Sequence, residues 1–204
     1  QSETEIKKEM MDLNFIPYVW NNTWGGGRED MIYKFANIGF KSIMSNSSAF
    51  YFDMADNKDM ELYGLNWSGY VDYEDAWSTE PHNVFANKKS LKKHNISEEY
   101  LSSVVSLEED AKQNFLGIQS QLWGETLVNQ DIVDELFMPN LVVFSQRAWS
   151  SPEKWIEIDD EDEQLTAHGH SWNIFSNNIG QRIFPITSSL FGGVKYHLPK
   201  PGAI

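Results

Sequence analysis

Three times along this chain a short apolar run is followed by a turn-rich loop and then by helical periodicity, and no other feature restricts the fold as much. "NFIPYVW" reads as a strand from Phe15 to Trp20; "NNTWGGG" follows, and then "REDMIYKFANIG", where Met31, Ile32, Phe35 and Ile38 recur at helical spacing and Gly39 occupies the position of a C-terminal cap. "KSIMS", Lys41 to Ser45, opens a second unit. It continues through a long aromatic loop, 46–83, to a helix expected to start near Ser97, where Ser97 and Tyr100 bracket acidic first-turn residues. The third unit is the apolar run Ile118 to Leu122 followed by "NQDIVDELFMPNLVVFSQRAW", a helix that Pro139 is expected to kink or break at Met138.

Strands that are uniformly apolar rather than alternating are buried on both faces, as in a parallel sheet covered by helices. In barrels and open sheets of this class, functional loops follow the strand C-termini. That rule places Trp20, Tyr51 with Asp53, and Trp123 with Glu125 at one end of the sheet. After Trp149, the acidic "SSPEKWIEIDDEDEQ" reads as a solvated loop, since adjacent acids in a flexible loop do not preorganise a metal cage, and "GGVKYHLPKPGAI" reads as a short extension or edge strand.

Composition limits the partners. A formal charge of −14 would repel nucleic acid and anionic lipid, so the expected ligand is neutral or cationic. No apolar run reaches the length of a membrane span, and "QSETEIKKEMM" contains no signal-peptide core. With no cysteine, disulfides, thiolate metal sites and a cysteine nucleophile are excluded. Aromatic residues make up 14% of the chain, and several stand in polar, loop-like contexts where a ring is available for ligand contact; burial in an aromatic cluster is the alternative.

Two indoles, a phenol and two carboxylates at the ends of neighbouring strands suit a neutral sugar, whose ring has an apolar C–H face and a rim of hydroxyls. Other candidates lack a complete motif. His168 and His170 in "TAHGHSW" have no third ligand placed for a metal, and Gly25 to Gly27 lack the lysine and spacing of a phosphate loop, so they read as a tight turn. Arg147 in "SQRAW" reads as a mid-helix structural ion-pair partner. No cofactor is expected.

The stretch "YVWNNTWGGGREDMIYKFANIGFKSIMSNSSAFYFDM", with "GLNWSGYVD", "QLWGE", "SQRAW" and "LPKPG" in order, resembles glycoside hydrolase family 20, the β-N-acetylhexosaminidases and chitobiases, from about Phe15 to Gly202. The resemblance implies a partial domain over residues 1–204: the last three or so units of a TIM (β/α)8 barrel over 15–149, and a C-terminal extension over 150–204. It implies that Trp20 lines the N-acetyl pocket and that Tyr51, the catalytic candidate, hydrogen-bonds the acetamido oxygen. Asp53 would then reach sugar hydroxyls, Trp67 would stack on the next sugar or leaving group, Trp123 would form the floor, and Glu125 would bind the far hydroxyls. The implied reaction is substrate-assisted, retaining hydrolysis of terminal N-acetylhexosamine from glycans or chitooligosaccharides, by an exported parent protein.

The family's acid belongs to an Asp-Glu pair in a His-x-Gly-Gly-Asp-Glu context, which this sequence does not contain; neither "YEDAW" nor "LEEDA" follows a strand ending in glycines. The chain alone is therefore expected to be inactive, and a non-catalytic sugar-binding or structural role is the alternative. Three barrel units leave apolar side chains such as Ile16, Ile43 and Ile118 uncovered, so self-association or pairing with the missing barrel half is expected, unless the 46–83 loop and the tail after Trp149 cover the opening.

Overall fold

The computed structural model describes residues 9–60 and 62–193. Its centre is a three-stranded parallel sheet in the order β1 (Tyr18–Val19), β2 (Ser42–Met44), β3 (Phe115–Ile118), with helices packed against it. Tyr18 and Val19 pair with Ile43 and Met44, and Ile43 and Met44 pair with Gly117 and Ile118. The register slips between Ser42 and Ile43, leaving Leu116 as the extra residue of a bulge. Gly117, at φ +143°, takes the backbone conformation there that a side chain would resist.

The first two strands are shorter than the apolar runs that announce them, and the third lies earlier. Residues 119–122 do not belong to β3, although Gln121 pairs with Tyr51 in an isolated parallel bridge that prolongs the sheet. Helix α1 (Met31–Asn37) ends where expected, with Gly39 at φ +102° just beyond it.

Three expectations are corrected. The 46–83 stretch is not one loop, because α2 (Tyr73–Ser78) forms within it. Asp72 caps α2 by accepting from the Asp75 amide while the Asp75 carboxylate accepts from the Asp72 amide, a reciprocal box built from two aspartates. Helix α3 (Lys88–Lys93) precedes the helix anticipated near Ser97, which does start there as the single turn α4 (Glu98–Leu101), capped by Ser97. Helix α5 (Gln130–Trp149) does not break at Met138 but continues through Pro139, with Ile132, Leu136 and Val143 on both sides of the proline buried. The acidic run is no loop: Asp160 caps α6 (Glu161–Asn178), and Glu161, Asp162 and Glu163 fill its first turn, where the helix dipole favours negative charge. The end of the chain, including "LPKPG" and most of the proposed edge strand, lies outside the described residues.

Beyond α6 a π-helical segment, Ile179–Ile183, leads into α7 (Phe184–Leu190). These last helices share the main core: Trp155, Trp172, Ile179 and Phe184 belong to the same buried cluster as Ile32, Met44, Phe50 and Trp77. Tyr33 fastens this core to the loop after α2, donating to the Pro81 carbonyl at 3.0 Å and accepting from the Val84 amide at 2.8 Å. Among the described residues no helix is long and apolar enough to cross a membrane.

His168 lies edge-on between Trp77 and Trp155, with neither ring nitrogen in a hydrogen bond. Burial first, and the charge of Lys89 second, push its pKa down to about 4. Glu74 Oε1 lies 3.5 Å from Nδ1 and would favour protonation, but that carboxylate is already paired with Lys89, so burial decides. His170 is exposed, and among the described residues no group of three His, Cys, Asp or Glu is placed to hold a metal ion. A base whose pKa falls on folding stabilises the fold fully above its unfolded value of about 6.5, and that contribution disappears as pH drops toward 4. Denaturant midpoints should therefore fall between pH 7 and pH 4.5 by more in the native chain than in His168→Phe, with the His168 share on the order of 3 kcal/mol across its full range.

Candidate functional site

Past the strands, backbone hydrogen bonds between neighbouring segments prolong the sheet, and this prolongation builds a cavity. The Ser45 amide donates to the Val19 carbonyl at 2.8 Å and the Gln119 amide to the Met44 carbonyl at 2.8 Å, so the sheet keeps its spacing beyond the last strand residues. Further out, the Phe52 amide donates to the Gln121 carbonyl at 2.7 Å and the Gln121 amide to the Phe50 carbonyl at 3.0 Å. Along Tyr18–Trp20 and Gln119–Trp123 alternate side chains share a face, whereas Asp53 is placed by the turn Tyr51–Met54 and Glu125 by the 3-10 turn Gly124–Thr126. Tyr18 and Trp20, Tyr51 and Asp53, and the series Gln119, Gln121, Trp123 and Glu125 all line a single cavity of about 840 Å³. Ser45 and Trp67 complete its walls.

All six residues singled out from sequence thus border one space: Trp20, Tyr51, Asp53, Trp67, Trp123 and Glu125. Trp20, Trp67 and Trp123 are each about half exposed (47%, 49% and 49%), whereas Tyr51 and Asp53 are buried at 4% and 1%. Trp67 stands edge-on to Trp20 at 6.1 Å and to Tyr51 at 5.7 Å, and Trp123 is tilted against Tyr51 at 6.5 Å. These separations lie in the range of favourable ring pairs, so the rings hold one another without closing the cavity.

Tyr18, Ser45, Gln119 and Gln121 were not singled out from sequence, yet each follows from counting back by two from Trp20 or Trp123 or from lying at the end of β2. Gln121 Nε2 donates to Ser45 Oγ at 3.1 Å, tying the floor of the cavity to β2. Arg147 is elsewhere. It sits in the last turn of α5 rather than mid-helix, donates to the Ser150 and Ser151 carbonyls, and lies 3.9 Å from Glu80. Gly25 to Gly27 form a tight turn clasped by Glu29, whose carboxylate accepts from the Gly25 and Arg28 amides and from the Tyr100 hydroxyl.

Asp53 is the electrostatically uncomfortable group of the site. Its pKa is raised, by burial first, and the nearby Glu125 charge adds to the rise, while the backbone amides of Asp53 and Trp123 offset part of it. Neither carboxylate oxygen has a hydrogen-bond partner of good geometry. Burial likewise raises the Tyr51 pKa, with Trp123 opposing the rise and Asp53 adding to it, so Tyr51 keeps its proton and can donate it in a hydrogen bond.

Behind Trp67 the loop is pinned by polar contacts. Ser68 Oγ donates to the Ser47 carbonyl at 2.9 Å, and the Ser47 amide donates to Asn22 Oδ1 at 3.3 Å. The Leu65 amide donates to the Asp53 carbonyl at 2.7 Å and the Ala55 amide to the Leu65 carbonyl at 2.8 Å, so the Trp67 loop is docked directly on the Tyr51–Asp53 segment. Gly64 permits that approach.

A model of the glycosyl hydrolase family 20 catalytic domain matches residues 4–152. A β-hexosaminidase of Vibrio vulnificus is 27% identical over a match that covers 92% of this chain and 23% of the relative. An N,N'-diacetylchitobiase of Vibrio harveyi is 26% identical, with coverages of 98% and 22%. The chain thus spans under a quarter of the length of these relatives. Among solved structures, the family 20 β-N-acetylhexosaminidase of Streptomyces coelicolor superposes with a TM-score of 0.58 at 18% identity, covering 97% of this chain and 35% of that one. A mutant β-hexosaminidase of Streptomyces plicatus in complex with its product GlcNAc gives 0.57 at 19% identity, covering 98% and 35%. The fold is therefore that of a C-terminal portion, about three β/α units, of a TIM barrel.

Gly64 has φ +125°, and a Cβ there would lie 2.6 Å from the Ala55 amide nitrogen and 2.8 Å from the Met54 carbonyl carbon. Gly64→Ala should cost roughly 1–3 kcal/mol in chemical denaturation and shift the Trp67 resonance in spectra of 5-fluorotryptophan-labelled protein. An unchanged Trp67 signal would show that the docking of this loop does not depend on Gly64.

Proposed function

The chain belongs to glycosyl hydrolase family 20, and from that premise we propose that its cavity is part of the pocket in which a β-N-acetylhexosaminidase holds the terminal N-acetylhexosamine of a glycan or chitooligosaccharide. The observation that carries this reading is the convergence of Trp20, Tyr51, Asp53, Trp67, Trp123 and Glu125, from three strand ends and one docked loop, on one space. Half-exposed indoles offer faces for the apolar side of a pyranose, and the carboxylates of Asp53 and Glu125 accept from its hydroxyls. Tyr51, protonated and held between Trp67 and Trp123, donates to the acetamido oxygen. In a substrate-assisted reaction that oxygen attacks the anomeric carbon, so a hydrogen bond there orients the nucleophile.

These 204 residues supply no Asp-Glu pair in the family's context, and hence no general acid for the leaving oxygen. The chain alone binds the sugar without cleaving it. Leu13, Phe15, Ile16 and Leu116 are exposed, on or near the two outer strands. Such a surface favours self-association or assembly with the rest of a barrel.

Purified chain should release no 4-nitrophenol from 4-nitrophenyl N-acetyl-β-glucosaminide, yet bind N-acetylglucosamine in a tryptophan-fluorescence titration, with Trp123→Ala weakening binding about tenfold through loss of a stacking face. Turnover would contradict the absence of an acid, and an unaffected Trp123→Ala would remove that indole from the site. Light scattering at micromolar concentration should report a species larger than the monomer. A monodisperse monomer that binds little apolar dye would sink the assembly reading and leave the sugar reading standing.

A further inference from the structure

We propose that Gln121 is a positioning residue of the pocket: by bonding Ser45, its side chain sets where Tyr51 and Trp123 stand, without itself touching the ligand. The inference rests on the sugar-pocket reading above and adds to it the contact that places two of its rings. Gln121 Nε2 donates to Ser45 Oγ at 3.1 Å. Ser45 is the first residue past β2, its amide donates to the Val19 carbonyl at 2.8 Å, and it is fully buried. Its hydroxyl is therefore a fixed point at the junction of β1 and β2.

Gln121 is the common anchor of the two rings. Its amide donates to the Phe50 carbonyl at 3.0 Å and its carbonyl accepts from the Phe52 amide at 2.7 Å, on either side of Tyr51. Both bonds run to the Tyr51 segment, so they lock the two segments to each other without setting their place over the strands. The nearest backbone tie from the Gln121 segment to β2 is the Gln119 amide on the Met44 carbonyl, two residues back. At the level of the rings the reference to β2 is the side-chain bond to Ser45. Trp123 follows two residues after Gln121, about half exposed and tilted against Tyr51 at 6.5 Å. A half-exposed indole is not held by packing on every side, and its place follows from the backbone that carries it. Hydrogen bonds behind a binding group are what hold it in productive geometry.

Two substitutions remove the same bond from opposite ends. Gln121→Met keeps the length of the side chain and loses the donor, and Ser45→Ala loses the acceptor at a buried position. The ligand-free chain is labelled with 5-fluorotryptophan in one sample and 3-fluorotyrosine in another. Both variants should move the Trp123 and Tyr51 resonances in the same direction and leave that of Trp172, in the main core, in place. In titrations with N-acetylglucosamine each should weaken binding about fivefold, the size of one neutral hydrogen bond. The double variant should be no weaker than either single one, because all three lack the same bond. A Gln121→Met loss that exceeds that of Ser45→Ala and adds to it would show Gln121 touching the sugar directly and overturns the inference. So do Trp123 and Tyr51 resonances that stay in place in both variants, or that move while affinity is unchanged. If one variant unfolds, seen as a shift of Trp172, the other decides by the same two readouts; unfolding of both overturns the inference, since the bond would then support the fold rather than the pocket. If the native chain binds no N-acetylglucosamine, the preceding reading fails, and the resonances of the ligand-free chain decide the positioning on their own.

Discussion

The reciprocal backbone bonds between Phe50–Phe52 and Gln121 hold the site together. β2 ends at Met44 and β3 at Ile118, and without further pairing the two chains would diverge as they left the sheet. Because the Gln121 amide and carbonyl both engage the Tyr51 segment, the sheet is carried outward past its last formal residue. A parallel ladder imposes a common direction on its strands, so the side chains that follow are delivered to the same end. The Trp67 loop then adds to the outer part of this extension through Leu65, which bonds the Asp53 carbonyl and accepts from the Ala55 amide.

Alternation next to the bridge does part of the rest: Tyr51 borders the cavity while its neighbours Phe50 and Phe52 are buried in the interior. Phe50 and Phe52, on either side of Tyr51, pack edge-on against Phe144 of α5. A one-residue slip would send Tyr51 into the core and Phe52 into the cavity. The packing of Phe50 and Phe52 against α5 therefore enforces the register that presents Tyr51 and Asp53, and helix α5 contributes to the site without touching it.

The strand–loop–helix order, the parallel sheet and the grouping of six pocket residues were legible in the sequence, because each rests on short-range pattern: apolar runs, helical spacing and motif order. Tyr18, Gln119 and Gln121 were legible in principle by the same alternation, but an apolar run read as one strand conceals which of its residues face outward. Helix α2 was missed because its cap is an Asp-x-x-Asp box inside an aromatic, glycine-flanked stretch, where turn signals outweigh six helical residues. The continuation of α5 through Pro139 and the placing of Asp160 to Glu163 at a helix start depended on tertiary burial: Val143 and Leu136 on one side, Trp155 and Trp172 on the other. Local propensity cannot register such contacts.

The site also runs against what burial favours. An indole left half exposed forgoes roughly 2 kcal/mol of the stabilisation that full burial would bring, and Trp20, Trp67 and Trp123 are all in that position. Asp53 adds a buried charge without a good donor. A fold tolerates such groups when the shell behind them is rigid, and here that shell is polar as well as apolar. Asn22, Ser47 and Ser68 are bonded beneath the Trp67 loop, while Phe50 and Trp77 belong to the core on the other side of the sheet extension. Because Ser68 is bonded to Ser47 and Ser47 to Asn22, the rings cannot collapse inward to hide their faces without breaking those hydrogen bonds. Exposed aromatic surface and a buried carboxylate without a good donor are thus maintained side by side.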